Sequence, residues 1–166
     1  MAAARQLWLL RHADAEPHGT RADAERRLTG RGVRQAEVAG GALARMGVGF
    51  AAALSSPKAR ARETAELALA HMPAEQAPRL ELHEPLAGGF QAPQALDAMA
   101  GTGRESPLLL IGHEPDLSGI VGELTGGRVD LKKGGLAVLR LDGAGGELVL
   151  LLRPAELALI AGVSLL

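Results

Sequence analysis

The 166-residue chain predicts an α/β fold: a three-layer α/β/α sandwich with a mixed, mostly parallel central sheet, built as a single domain over residues 1–166. Three observations predict it. Short apolar runs alternate with helix-length segments, the pattern of parallel strands joined by crossover helices. Leu7–Leu10 and Leu108–Ile111 are apolar without a break, as strands covered on both faces must be. Leu136–Leu141 and Glu147–Leu151 flank Asp142-Gly143-Ala144-Gly145-Gly146, a hairpin that adds an antiparallel edge.

Strand one spans about Gln6–Leu10. Residues 13–28 carry Pro17, His18, Gly19 and many charges without periodicity, and read as a loop long enough to serve a site or to move. Thr29 then caps a helix reaching about Arg45, with Val33, Ala36, Gly40 and Leu43 on one face. Gly40-Gly41 lowers its propensity but permits close packing on a sheet. Phe50–Leu54 is the second strand. Ser55-Ser56-Pro57 reads as a capping serine with proline at the first helical position, and the helix runs from Lys58 to about His71. Leu80-Glu81-Leu82 is a minimal third strand, followed by a loop over His83–Phe90. A small helix covers Pro93–Ala100, and Gly101–Pro107 turns the chain into the fourth strand. Gly112-His113-Glu114-Pro115 closes that strand before a helix over Asp116–Leu124. After the hairpin, Pro154 opens an apolar tail, Ala155–Leu165, with the character of a final docking helix.

Composition narrows the function. Apolar residues make up 47% of the chain, which excludes disorder. With 18 basic and 19 acidic side chains and few aromatics, neither an electrostatic footprint nor a stacking platform for nucleic acid is present. The absence of cysteine removes disulfides, thiolate chemistry and the strongest zinc signatures. No apolar run has membrane-span length, and the N-terminus leads into a strand rather than a signal peptide. The expectation is a cytoplasmic protein with neither membrane nor nucleic-acid partners. No dinucleotide or P-loop glycine pattern occurs. Fifteen of the 18 basic residues are arginine, the side chain suited to forked contacts with phosphate oxygens.

Three strand ends repeat one feature. Strand one delivers Arg11 and His12, strand two delivers Ser55-Ser56-Pro57 with Arg60 and Arg62 one turn later, and strand four delivers His113. In a parallel arrangement all reach one edge of the sheet, where open α/β folds carry their chemistry. Arg60 and Arg62 point about 200° apart around a helix, so only one can face the site. Two arginines can grip phosphoryl oxygens, and two imidazoles can supply a nitrogen nucleophile and a further donor. Taken singly, each of these residues reads equally well as structural or solvated; their coincidence at strand ends carries the case. His18 and His71 read as surface residues, and His83 as a neighbour of Glu84.

The segments Leu10-Arg11-His12-Ala13-Asp14-Ala15, Leu54–Ala65 and Ile111-Gly112-His113-Glu114-Pro115-Asp116-Leu117-Ser118 resemble the signatures of the histidine phosphatase superfamily, and more closely its SixA-like phosphohistidine phosphatase branch. Arg27-Leu28-Thr29-Gly30-Arg31-Gly32 and Lys132-Lys133-Gly134 fit the same branch. Arg-His-Ala stands here where the wider family commonly has Arg-His-Gly, without loss of a catalytic side chain. The resemblance implies a phosphoglycerate mutase-like fold and a metal-independent, cofactor-free phosphatase acting in signal transduction. It implies His12 as nucleophile, Arg11 and Arg60 on the phosphoryl oxygens, and His113 as donor to the phosphoryl group. Glu84 is the candidate general acid, with Asp14 the alternative. The implied substrate is phosphohistidine in a protein; a small phosphate ester is the alternative, and so is a non-enzymatic phosphate-binding role. A metallohydrolase built from His12, Asp14, His18, His83 and His113 is disfavoured, because Arg11 would repel a cation and the spacing makes no compact ligand set.

Overall fold

A computed structural model of the chain describes residues 5–102, 106–143 and 145–166. One six-stranded sheet is formed by β1 (Arg5–Arg11), β2 (Ala52–Ser55), β3 (Leu80–Leu82), β4 (Leu108–Gly112), β5 (Leu136–Asp142) and β6 (Gly145–Leu152), in the order β3-β2-β4-β1-β5-β6. The first four strands are mutually parallel, and β5 and β6 run antiparallel to β1 and to each other. The helices are α1 (Gly30–Met46), α2 (Ala59–Ala70), α3 (Ala92–Ala100), α4 (Asp116–Thr125) and α5 (Pro154–Ala161). This is the three-layer mixed architecture that the apolar runs predict.

Side-chain parity along the strands decides the two layers, since successive residues point to opposite faces. Trp8 and Leu10 of β1, Leu109 and Ile111 of β4 and Val138 of β5 pack with α1, α2 and α5, where Trp8 meets Phe50 edge to face at 5.4 Å. Leu7 and Leu9, Leu108 and Leu110, and Leu139 pack on the other side with α3 and α4. Thr29 caps α1 through its side chain, which accepts from Gly32 N, and Gly47 ends the helix in the left-handed conformation.

Several details differ from the sequence reading. The Gly40-Gly41 pair serves helix–helix rather than helix–sheet packing: a Cβ on Gly40 would lie 2.1 Å from the Ala68 carbonyl oxygen of α2, and one on Gly41 would meet Ala161 of α5 at 3.3 Å. Helix α2 starts at Ala59 with Lys58 as N-cap, because Ser56 is held in the sheet edge instead of capping the helix. Residues 13–28 are bridged between Ala15 and Leu28 and contain a 3-10 turn over Asp23–Glu25. A second 3-10 turn covers Glu84–Ala87 within the expected loop. Strand β6 begins at Gly145, inside the predicted turn. Parts of the predicted turns at Gly101–Pro107 and Asp142–Gly146 lie outside the described residues.

Candidate active site

Because β2, β4 and β1 are adjacent and parallel, their carboxyl ends lie side by side, and backbone hydrogen bonds continue past them. His12 N donates to the Gly112 carbonyl (3.0 Å), and Ser56 N donates to the Ile111 carbonyl (3.0 Å). Strand β5, running the other way, starts at the same edge. There Arg11 N donates to the Gly135 carbonyl (3.1 Å) and Gly134 N to the His12 carbonyl (3.0 Å), which brings Lys133 to the site. The approach requires glycine: Gly134 has φ +72°, and a Cβ on Gly135 would lie 2.8 Å from the Lys132 carbonyl oxygen.

His12 is buried, with Nδ1 2.8 Å from the Ala13 carbonyl oxygen. A carbonyl only accepts, so Nδ1 carries the proton and Nε2 keeps its lone pair. Ala13 is itself held, its N–H donating to Thr64 Oγ1 (3.0 Å), while the Thr64 hydroxyl donates to the Arg60 carbonyl (2.7 Å). Helix α2 thus orients the His12 ring through one intervening residue. Burial lowers the His12 pKa to about 4 against the opposing pull of the Ala13 carbonyl, with the Arg60, Arg11 and Lys133 cations adding to the shift. The ring is neutral at physiological pH, as a nitrogen nucleophile must be. The His113 ring lies 5.2 Å away between centroids, tilted by 53°. Its Nε2 is 2.7 Å from Ser56 Oγ, and its buried Nδ1 has no protein partner. Burial, then the neighbouring His12 and Arg60, lower its pKa to about 3.

Arg11 donates through Nη1 to the Leu131 carbonyl (2.9 Å), and its buried Nε has no partner. Arg60 donates to the Asp23 carbonyl (2.7 Å) and to Asp23 Oδ2 (3.3 Å), and its Nε is likewise buried and unpartnered. Burial depresses both guanidinium pKa values, opposed by Glu114 and Asp130 at Arg11 and by Asp23 at Arg60; both stay charged. Arg62 points away, exposed and 3.8 Å from Glu66 one turn along. Asp23 also accepts from Lys58 Nζ (2.9 Å) and Arg26 Nη2 (2.9 Å), and the Lys58 hydrogen bond foremost holds its carboxyl well below the usual range. Arg11, His12, Arg26, Arg60, His113 and Lys133 line one cavity of about 230 Å³.

The structure therefore brings Arg11, His12, Arg60 and His113 together. It does not bring Glu84 to them. Glu84 is exposed in the turn after edge strand β3 and does not line the cavity; three strand spacings, roughly 14 Å, separate β3 from β1. Asp14 accepts from Thr29 Oγ1 (2.8 Å) and Lys133 Nζ (3.3 Å) and lines the neighbouring groove. Burial alone would raise its pKa, but those two hydrogen bonds hold it low. The carboxylates that do line the cavity are Glu16 and Glu114. Glu114 sits next to His113 in sequence, a signal available from the start. Ser56 and Thr64 lie within the segment that carries Arg60, whereas Arg26 reaches the site only through the fold of the loop. The five residues weighed as a metal set do not assemble: His83 packs edge-on to Phe90 at 5.9 Å, and among the described residues no three potential donors stand together.

Comparison with known proteins identifies the family and the fold. A family model described as histidine phosphatase superfamily (branch 1) matches residues 7–123. An uncharacterized protein of Picosynechococcus sp. is 33% identical over 146 residues, covering 84% of this chain and 87% of its own. The structure of a protein from Nakamurella multipartitia described as "Putative Phosphohistidine Phosphatase SixA" is similar with TM-score 0.76 and 27% identity, over 92% of this chain and 98% of that one. The protein histidine phosphatase SixA complexed with tungstate is similar with TM-score 0.75 and 23% identity, over 92% and 99% of the two chains.

Proposed function

The chain belongs to the histidine phosphatase superfamily, and from that premise we propose that it hydrolyses the phosphoryl group of phosphohistidine in a protein through a transient phospho-His12 intermediate. In the first step the His12 Nε2 lone pair attacks phosphorus, the P–N bond to the substrate imidazole breaks, and that imidazole leaves and takes up a proton from solvent. In the second step water attacks phosphorus, the P–Nε2 bond breaks, and inorganic phosphate departs, the water's proton passing to solvent. Arg11 and Arg60 bind the phosphoryl oxygens, and His113 donates to them. Catalysis is then positioning plus charge stabilisation of in-line transfer.

One observation carries this reading. Arg11 Nε, Arg60 Nε and His113 Nδ1 are buried polar atoms without protein partners, on three residues that line one cavity. Buried polar groups are ordinarily paired, and an anion seated among them supplies acceptors for all three. The cavity, about 230 Å³, falls below the usual range for enclosed small-molecule ligands and suits a phosphoryl group with one ring. An imidazole leaves more readily than an alkoxide, so this substrate asks little of a general acid, and the reading assigns no such role to Glu84. Two arginines supply the countercharge, so the reaction is metal-independent. Action in the cytoplasm, within signal transduction, belongs to the same proposal.

The test is a panel of a phosphohistidine protein, sugar phosphates and an aryl phosphate, each assayed with excess chelator. Preferred turnover of phosphohistidine, with label trapped on His12, is expected; His12→Ala should lower turnover by ~10⁴-fold or more with the fold intact. Preferred turnover of a sugar phosphate would overturn the substrate assignment, and activity abolished by the chelator would overturn metal independence.

A further inference from the structure

We propose that Ser56 is a positioning residue: its hydroxyl donates to His113 Nε2 and so keeps the His113 ring proton on Nδ1, as a neutral donor for the transferring phosphoryl group. What that donor meets rests on the phosphatase reading above; the hydrogen bond and the tautomer do not.

The direction follows from counting protons around one oxygen. Ser56 is completely buried, and its Oγ has two neighbours, His113 Nε2 at 2.7 Å and the backbone N–H of Lys58 at 3.2 Å. The Lys58 N–H can only donate. If His113 Nε2–H donated as well, the serine hydroxyl would hold a proton with no acceptor, and His113 Nδ1 would be a buried acceptor with no donor. Two polar atoms would then be unsatisfied. With the serine donating to Nε2, the hydroxyl is fully used and only Nδ1–H is left. The adjacent hydroxyl cannot substitute, because Ser55 Oγ donates to the Ser56 carbonyl (2.9 Å). The depressed His113 pKa leaves a neutral ring, in which one nitrogen donates and the other accepts.

The same arrangement explains why Ser56 does not cap α2. Its backbone N–H is tied to β4 through Ile111, and the hydroxyl so placed lies beside the His113 ring. The two imidazoles are thus set by different means. A backbone carbonyl takes the His12 Nδ1 proton and frees Nε2 for attack, whereas a hydroxyl fills the His113 Nε2 lone pair and frees Nδ1–H to donate. One ring is left with a lone pair and the other with a proton.

Long-range ¹H–¹⁵N correlation spectra of the full protein at neutral pH read which ring nitrogen carries the proton; the chain has five histidines, and loss of signals in His113→Gln assigns them. His113 is expected as the Nδ1–H tautomer in the wild type, and as mainly Nε2–H in Ser56→Ala. In that variant kcat/KM toward phosphohistidine should fall at least ~10-fold, approaching the ~100-fold that loss of one preorganised donor costs, with the His12 signals unchanged. A wild-type His113 protonated on Nε2 overturns the proposal, and this needs no variant to fold. Unchanged kcat/KM in a Ser56→Ala protein whose tautomer has shifted overturns the positioning role. An Nδ1–H tautomer in a protein that turns over no phosphate compound would leave the hydrogen-bond assignment standing and reject the phosphatase reading.

Discussion

The floor and the wall of the cavity are built from different forces. The floor consists of Arg11, His12 and His113 at strand ends, with Ser56 buried behind His113, all held by backbone hydrogen bonds across β2, β4, β1 and the start of β5. The wall is the 17–26 segment, where Asp23 gathers Lys58, Arg26 and Arg60. Buried hydrogen-bonded geometry is insensitive to salt, whereas a half-exposed ion-pair cluster is screened and contributes little net stability. His12 therefore stands on the part of the site that ionic conditions do not loosen, and Arg60 links the two, rooted in α2 with its guanidinium on Asp23.

Breaking the link that α2 makes between floor and wall should cost most. Arg60→Ala should lower kcat/KM by ~100- to 1000-fold, while Arg62→Ala should stay within ~3-fold; comparable losses in steady-state assays would contradict the helix register. Thr64→Val keeps the shape but leaves the Ala13 N–H buried without an acceptor. Urea unfolding should show a loss of ~1–3 kcal/mol, with a fall in kcat/KM of about 10-fold because the His12 ring loses its support.

Acid separates the two regions. His12 and His113 have pKa values lowered to about 4 and about 3 in the folded state. From roughly pH 6.5 down to 4 the unfolded chain binds protons that the folded chain refuses, so stability should fall as pH falls through that window. Asp23, with its depressed pKa, contributes stability that is present above the ordinary carboxylate value and is lost only below it. Urea midpoints across pH 4–7 measure the first effect, and a flat profile would contradict the buried neutral rings. The smallest effect belongs to the wall: Asp23→Asn should change stability by less than ~1 kcal/mol and reduce the salt dependence of KM. A loss beyond 10-fold in kcat would mean that the wall, too, positions the chemistry.

Much of this was legible in the sequence where one residue type answers one physical demand. Unbroken apolar runs mark strands covered on both faces, and polar residues directly after them mark the sheet edge, which places Arg11, His12 and His113. Helical periodicity separates Arg60 from Arg62. The course of residues 13–28 was not legible, because it depends on ion pairs among residues distant in sequence, such as Asp23 with Lys58 and Glu63 with Arg27. The place of Glu84 outside the cavity lining is hidden for a related reason: it follows a strand, but position within the sheet depends on strand order, and β3 lies at the edge. Ser56 looked like a helix cap because its neighbour is proline, and only the pairing of β2 with β4 reveals what its hydroxyl faces.

The contact at Gly40 has a mechanical consequence. With the Ala68 carbonyl oxygen only 2.1 Å from where a methyl group would stand, α1 and α2 press backbone to backbone and have no side-chain cushion over which to slide. Helix α2 bears both the arginine and the threonine that govern the cavity, so these two levers share a fulcrum with α1. A single added carbon at residue 40 would wedge the helices apart and tilt Arg60 and Thr64 together, from the opposite end of the helix that carries them.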